Sequence, residues 1–159
     1  MFRQGDMFEN LTPDVIPVVT TNSVIKEDGS LVMGGGAAKQ AADLFPGLPA
    51  LAGAAIQLKC ASQGVYGLIF VMVPVKHCAF QPMSQRIGLF QVKKHYNKDA
   101  LLDLIDLAAD KLLFAAQLDP TMQFRLNFPG IGLGGLTRER VLPKLKLLET
   151  ATNITVWEF

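Results

Sequence analysis

The sequence predicts an α/β fold, a three-layer α/β/α sandwich with a mixed, mostly parallel central sheet. Three observations indicate this fold. Strand-like and helix-like segments alternate along the chain, half of the 159 residues are apolar, and the first strong strand signal is an almost continuous apolar run. Because a chain of this length usually builds one core, we expect a single domain over residues 1–159.

The first half of the chain predicts one buried strand and two helices. Val15–Thr21 is β-branched and nearly uninterrupted, which is typical of a strand covered on both faces. After a polar turn and a run of glycines, residues 37–45 have high helix propensity. The prolines and glycine within 46–49 should end this helix, and we expect a second helix over about 51–58.

The middle of the chain predicts a hairpin and a long helix. Residues 65–75 and 87–93 are rich in β-branched and aromatic residues, and a long hairpin connection should join them. The clearest helix runs from Lys98 to about Leu118, with an apolar stripe at helical spacing. A second face of this helix carries acidic residues, for which a solvated surface is a simpler interpretation than a metal site. These residues are Asp99, Asp103, Asp106 and Asp110.

The last part of the chain predicts a strand, a helix and a final strand. Residues 121–128 alternate well enough for a strand that ends at Pro129. Thr137 is a good N-cap for a helix that runs to about Thr150, although no capping box closes it. Residues 154–159 should form the last strand of the sheet.

Composition excludes several classes of protein. The formal net charge of +1 gives no global electrostatic reason for a nucleic acid or membrane partner, although a local patch would still serve either one. The amino terminus lacks a signal-peptide pattern, and the apolar runs at 50–56 and 64–75 are shorter than the roughly 20 residues of a membrane helix. Cys60 and Cys78 lack metal-ligand spacing, so we expect reduced thiols, no metal and a cytoplasmic protein.

Two glycine-rich loops are the main candidates for a ligand site. Gly34–Gly36 and Gly130–Gly135 each follow a predicted strand and precede a predicted helix. Glycines allow close approach of the backbone, and the N–H groups at the start of a helix favour anions. Two such loops in one short chain favour an anionic ligand, although neither loop fits the phosphate-binding loop or the dinucleotide fingerprint.

The chain resembles the macro domain family over almost its whole length, and four segments carry the resemblance. The segments are Gly5–Phe8, Thr21–Asn22 together with Val32–Ala38, Phe90–Tyr96, and Phe128–Leu136. The resemblance implies that the protein binds ADP-ribose without a cofactor. It implies that Asp6 accepts a hydrogen bond from the adenine amino group, that Asn22 orients the distal ribose, and that both glycine loops hold the diphosphate. The ligand-binding residues implied are Asp6, Met7, Thr21, Asn22, Met33, Gly34, Gly35, Gly36, Ala37, Pro129, Gly130, Ile131, Gly132, Leu133, Gly134 and Gly135.

The segment Phe90–Tyr96 narrows the resemblance to one branch of the family. It is similar to the Phe-Pro-Thr-Lys-Arg-His-Trp segment of the DNA ADP-ribosyl glycohydrolase antitoxins, and the terminal ADP-ribose protein glycohydrolases carry a similar lysine. In both groups the lysine acts at or near the anomeric carbon of the ribose, which implies a catalytic role for Lys93. Lys76 stands in a similar local sequence but lacks the aromatic residue and the following helix, so it is the weaker candidate.

The chain departs from the protein glycohydrolases in its second glycine loop. These enzymes pair their lysine with an aspartate there, whereas residues 133–136 contain no carboxylate. The preferred function is a hydrolase that removes ADP-ribosyl groups from DNA or protein, with ADP-ribose or an ADP-ribosylated macromolecule, including ADP-ribosylated DNA, as partner. A non-catalytic ADP-ribose-binding module, an ADP-ribose 1″-phosphate phosphatase, and a structural domain whose glycines serve tight turns are the alternatives.

Overall fold

A computed structural model describes residues 1–60, 63–75 and 83–159 of the chain. The strands are β1 (Phe2–Gln4), β2 (Val15–Thr21), β3 (Leu68–Val75), β4 (Met83–Gln91), β5 (Gln123–Asn127) and β6 (Ile154–Glu158). The helices are α1 (Gly36–Leu44), α2 (Leu48–Cys60), α3 (Leu102–Leu118) and α4 (Arg138–Leu145), and 3-10 turns occupy Gly132–Gly134 and Lys146–Thr150.

The strands form one sheet in the order β1-β6-β5-β2-β4-β3. Four of the neighbouring pairs are parallel, and the β3–β4 pair is antiparallel. The predicted mixed, mostly parallel sheet is therefore confirmed, including the pairing of the two hairpin strands. Their connection lies outside the described residues, and so do Lys76 and Cys78.

Helices cover both faces of the sheet, which confirms the predicted three-layer sandwich. On one face α3 and α4 pack against a core that includes Val18, and on the other α1 and α2 pack against a core that includes Val19. Both valines are fully buried although they are adjacent in β2, because successive side chains of a strand point to opposite faces. Burial of each such side chain stabilises the fold by roughly 1.5–3 kcal/mol.

The first strand, β1, was not predicted. It is only three residues long, all of them exposed, and it lies at the edge of the sheet, where Phe2 pairs with Val156 of β6. An exposed edge strand of three residues is too short to show an alternation in the sequence, and its partner is the last strand of the chain. Its formation therefore depends on a pairing that no local pattern reports.

The predicted start of the long helix was four residues too early. The segment 98–101 is a non-helical connection that forms hydrogen bonds with distant parts of the chain. The Ala100 N–H donates to the Gly134 carbonyl at 2.7 Å, and the Leu101 N–H donates to the Val92 carbonyl at 2.8 Å. The helix then begins at Leu102. These residues have helix propensity, but tertiary hydrogen bonds outweigh it.

The other element boundaries shift for local reasons. Helix α2 begins at Leu48 because Pro49 fits the first turn, where its missing N–H is not needed. Strand β4 ends at Gln91, so Lys93 lies two residues beyond it. Thr137 caps α4 as predicted, its Oγ1 accepting from the Arg140 N–H at 3.3 Å, but α4 ends at Leu145 and continues as a 3-10 turn.

The acidic face of α3 lies at the surface. Asp103 and Asp110 are exposed, and Asp106 accepts from the Lys144 ammonium at 2.8 Å. Within residues 1–60, 63–75 and 83–159, no three His, Cys, Asp or Glu side chains lie close enough together to hold a metal ion. The solvated-face interpretation fits this arrangement.

Two smaller features concern α1 and α2. In the part of the chain that is described, no single helix is long and apolar enough to cross a membrane; α1 and α2 reach that length and composition only as a pair, bent by 116°. Cys60 at the end of α2 carries a free thiol that donates to the Ile56 carbonyl at 3.4 Å.

Candidate ligand-binding site

A cavity of about 810 Å³ opens at the carboxyl ends of the parallel strands. This is the edge where open α/β sheets bind ligands, because the loops that leave neighbouring strands diverge there. The volume lies within the range of small-molecule and cofactor sites. The ends of β2, β5 and β6, the residues that follow β4, and both glycine loops line it.

Most of the predicted site residues lie on this cavity. Those that line it are Thr21, Asn22, Met33, Gly34, Gly35, Gly36, Ala37, Lys93, Gly130, Ile131, Gly132, Leu133 and Gly134. Asp6, Met7, Pro129 and Gly135 do not line it. Met7 is fully buried in the core beneath α1 and α2, and Pro129 is buried in the chain leaving β5.

The two glycine loops meet across the cavity. A methyl group on Gly35 would lie 2.5 Å from Cδ1 of Leu133 in the second loop, so the loops are in direct contact at this point. Gly35 also caps α1 without any side-chain hydrogen bond. The first N–H groups of α1 therefore lack the side-chain oxygen that commonly accepts from them, which leaves the start of this helix suited to an anion.

The second loop is held in place by its own backbone and by the segment before α3. Its 3-10 turn closes through the Gly135 N–H, which donates to the Gly132 carbonyl at 3.0 Å, and through the Leu136 N–H, which donates to the Gly130 carbonyl at 2.9 Å. The Ala100 N–H bonds the Gly134 carbonyl from outside. This loop is therefore fixed before any ligand arrives.

Asn22 stands at the end of β2 and is 7% exposed. Its Nδ2 donates to the Val32 carbonyl at 2.9 Å, and its Oδ1 accepts from the Val24 N–H at 2.8 Å. These bonds fold the chain towards the first glycine loop. The amide has a second hydrogen, for which the described residues provide no acceptor, so Asn22 can still donate to a ligand in the cavity.

Lys93 follows β4 and is only 9% exposed. Its Nζ donates to the Leu133 carbonyl at 3.1 Å and to the Tyr96 carbonyl at 3.2 Å, so it ties the end of β4 to the second loop. Burial lowers the pKa of this ammonium, and the negative charge of Asp99 partly opposes the shift. Lys94, the next residue, is exposed.

Asp6 lies beside one end of the cavity. Its Oδ1 accepts from the Phe8 N–H at 2.9 Å, which closes a tight turn, and the carboxylate is exposed. The preceding residue, Gly5, donates its N–H to the Glu158 carbonyl at 2.8 Å. Because Glu158 and Phe159 line the cavity, Asp6 stands next to the end formed by β6.

Sequence reasoning missed the contribution of the last strand to the site. Trp157, Glu158 and Phe159 line the cavity, and Arg138 forms an ion pair with Glu158 while stacking over Phe128 at 4.7 Å. A signal was available: the carboxyl ends of parallel strands share one edge of a sheet, so the end of the last strand should lie beside the glycine loops.

Comparisons with known proteins identify the fold. No family model matches the sequence, and no curated protein matches it. Among solved structures, the macrodomain of Thermus aquaticus DarG is 25% identical, with a TM-score of 0.67 over 99% of this chain and 96% of that chain. The macrodomain of Mycobacterium tuberculosis DarG is 21% identical, with a TM-score of 0.66 over 100% and 98%. This chain has the macro domain fold.

A third macro domain neighbour was solved with a ligand. Thermosipho africanus DarTG in complex with ADP-ribose is 20% identical, with a TM-score of 0.70 over 98% of this chain and 41% of that chain. In this chain the second loop carries no carboxylate, and the carboxylate whose charge acts on Lys93 is Asp99, in the segment before α3.

Proposed function

We propose that this macro domain binds ADP-ribose and hydrolyses the bond between ADP-ribose and a macromolecule, DNA or protein. One observation carries the proposal: two glycine loops from separate parts of the chain touch at Gly35 and Leu133, and a buried lysine lies at the same junction. The ADP-ribose complex of the Thermosipho africanus protein, which shares the fold, supports the identity of the ligand.

We assign the parts of ADP-ribose to the cavity in a definite order. The adenine lies at the β6 end, between the Asp6 carboxylate and the aromatic side chains of the last strand. The diphosphate accepts hydrogen bonds from N–H groups at the start of α1 and in the second loop, because both glycine loops line the same cavity. The distal ribose then extends towards Asn22 and Lys93.

Lys93 acts at the anomeric carbon of the distal ribose, as nucleophile or as an electrostatic partner of the leaving group. In the net reaction water adds to that carbon, the glycosidic bond breaks, and its electron pair leaves with the macromolecule, which takes up a proton. The nucleophilic role requires a neutral amine, and the lowered pKa of Lys93 favours that form. The neutral amine keeps two N–H groups for the carbonyls of Tyr96 and Leu133, and its lone pair is then free to attack.

A non-catalytic binding module is the second candidate. The ammonium of Lys93 is already satisfied by the carbonyls of Tyr96 and Leu133, which suits a lysine that fixes the second loop. The second loop also lacks the aspartate that protein glycohydrolases use. In this alternative the same cavity holds ADP-ribose and Lys93 only positions it.

Binding is tested first by thermal unfolding with ADP-ribose. A ligand that binds only the native state at about 100 times its Kd stabilises it by about 2.7 kcal/mol, which a melting curve resolves. No shift of Tm at saturating ADP-ribose would contradict the proposed ligand.

Turnover is tested on ADP-ribosylated DNA and protein, with Lys93→Ala beside the wild type. Lys94→Ala is the matched control, because it removes the same charge from the adjacent, exposed position. We expect Lys93→Ala to lose on the order of 100-fold or more in rate and Lys94→Ala to lose little. A wild type that binds ADP-ribose but cleaves neither substrate is a binding module, and normal cleavage by Lys93→Ala overturns the role of this lysine.

A further inference from the structure

Two buried polar side chains lie beneath the cavity and take no part in the proposed binding or chemistry. Tyr66, just before β3, is 2% exposed, and Gln91, the last residue of β4, is 0% exposed. Neither lines the cavity. Buried polar groups are costly unless all their hydrogen bonds are made, so the partners of these two side chains indicate what they hold.

The amide of Gln91 uses its full hydrogen-bonding capacity. Its Oε1 accepts from the N–H groups of Tyr66 at 2.8 Å and Gly67 at 3.1 Å. Its Nε2 donates to the carbonyl of Gly64 at 2.6 Å and, more weakly, to that of Lys93 at 3.4 Å. One side chain thus fixes the loop 64–67 against the backbone that carries Lys93.

Tyr66 extends this connection to Asn22. Its hydroxyl donates to the Asn22 carbonyl at 2.6 Å, and since a carbonyl can only accept, Thr21 Oγ1 is the donor in its 2.5 Å bond to the tyrosine oxygen. Burial raises the pKa of Tyr66, so the hydroxyl keeps its proton. The bond to the carbonyl orients the peptide plane between Asn22 and Ser23.

Backbone hydrogen bonds already set the separation of the two strand ends. The Val92 N–H donates to the Thr21 carbonyl at 3.0 Å, and the Ser23 N–H donates to the Lys94 carbonyl at 3.1 Å. The side chains of Tyr66 and Gln91 add bonds to the carbonyls of Asn22 and Lys93 themselves. Displacements of about 1 Å at a reacting group can reduce a rate on the order of 100-fold, so hydrogen bonds that fix these two carbonyls can affect the rate of cleavage.

We propose that Tyr66 and Gln91 are positioning residues, which fix the backbone of Asn22 relative to that of Lys93 so that the distal ribose is held against the lysine. The proposal rests on the proposed function, since it assigns these two side chains to the same site. It predicts that their loss affects the distal ribose and its cleavage, whereas binding of the adenosine diphosphate part is unchanged.

The chain provides a matched control for Gln91. Gln85 is also a glutamine of β4, lies on the same face six residues earlier, and is 6% exposed. Its Nε2 donates to the carbonyls of Val15 at 2.7 Å and Arg86 at 3.1 Å, at the opposite end of the sheet from the cavity. Gln85→Leu removes the donor of two part-buried bonds and should cost roughly 1–3 kcal/mol of stability. Gln91→Leu removes two donated bonds and also the acceptor of the Tyr66 and Gly67 N–H groups, so it should cost more.

The experiment compares the affinity for ADP-ribose with that for ADP, which lacks the distal ribose. We expect Gln91→Leu and Tyr66→Phe to weaken ADP-ribose binding about tenfold and to leave ADP binding unchanged, and to lower kcat at least tenfold on a cleaved substrate. Gln85→Leu should change neither the affinity ratio nor kcat. Tyr66→Phe keeps the ring and removes one oxygen, so it is the milder substitution. It provides the test if Gln91→Leu does not fold.

The outcomes separate this proposal from the proposed function. A wild type that binds no ADP-ribose overturns both. If the wild type binds and the variants at Tyr66 and Gln91 keep its ADP-ribose to ADP ratio, or change it no more than Gln85→Leu does, only the positioning role is overturned. A parallel loss of affinity for both ligands would likewise indicate a purely structural role.

Discussion

The two glycine loops of this protein differ in what surrounds them. In the first loop, methyl groups placed on Gly34 or Gly36 would meet no atom of the described residues within 4 Å. In the second loop, a methyl group on Gly130 would lie 2.9 Å from Ile105 Cδ1, and one on Gly134 would lie 3.3 Å from Ala100 Cβ. Apart from Gly35, which meets Leu133, the first loop thus faces open space, whereas the second loop, apart from Gly132, is packed against the protein.

This difference separates glycines that the fold needs from glycines that a ligand needs. Gly130 has a φ of +80° and a core side chain against it, so the fold requires it with or without a ligand. Gly34 has neither a positive φ nor a neighbour. Its missing side chain has no explanation in the protein alone, and close approach of a diphosphate provides one. The first loop therefore supports a ligand more strongly than the second does.

The largest effect that follows from this comparison is on stability. Gly130→Ala forces a left-handed backbone on a residue with a Cβ and crowds the buried Ile105, so we expect the free energy of unfolding to fall by about 2–4 kcal/mol in urea denaturation. Gly132→Ala is the matched control: its φ is +61° but nothing lies near, so only the backbone strain of about 1–2 kcal/mol remains. Equal losses in the two variants would show that packing does not fix the second loop.

A smaller effect, on affinity alone, is expected in the first loop. Gly34→Ala should change the free energy of unfolding by no more than about 0.5 kcal/mol, because the methyl group meets nothing. The same methyl group would obstruct the diphosphate, and we expect ADP-ribose affinity to fall about tenfold, or about 1.4 kcal/mol, in calorimetric titration. Gly47→Ala, equally unobstructed but away from the cavity, should bind as the wild type does. Wild-type affinity in Gly34→Ala would remove the argument for close approach.

The sequence predicts those parts of the fold whose signal is local. Val15–Thr21 predicts a strand buried on both faces because every position is apolar or β-branched. Thr137 predicts the start of a helix because its side chain can accept a hydrogen bond from the first turn. The glycine loops and Lys93 were found partly from their place after strands and partly from resemblance to a family. That they share one cavity follows from the parallel order of the strands, which the alternation of elements predicts.

Other parts depend on contacts between distant residues and leave no local trace. Strand β1 exists through its pairing with β6, and the start of α3 is displaced by the bond from Ala100 to Gly134. In the sequence nothing distinguishes Tyr66 from other aromatic residues near a strand, and it is the fold that brings its hydroxyl to the end of β2. Residues that act through such contacts can be identified from the folded structure.

The smallest expected effect concerns the carboxylate beside the second loop. Asp99 packs against Gly135 from outside, and its negative charge raises the pKa of Lys93 against the larger lowering by burial. Asp99→Asn removes that charge, so the pKa of Lys93 should fall further. If the neutral amine is the active form, the rise of kcat with pH moves to lower pH in the variant. Because Asp99 is exposed, the shift should be modest and should shrink as salt is added.

Asp103→Asn is the control for this shift, since Asp103 is equally exposed but its charge acts on Lys144. Its pH profile should superimpose on that of the wild type. A kcat that instead falls as the pH rises, with the fall moved to lower pH in Asp99→Asn, would mean that the ammonium, which the carboxylate stabilises, is the active form. Lys93 would then act as a cation beside the leaving group and not as the nucleophile, and the pH profile would thereby decide between the two roles left open by the second loop's missing carboxylate.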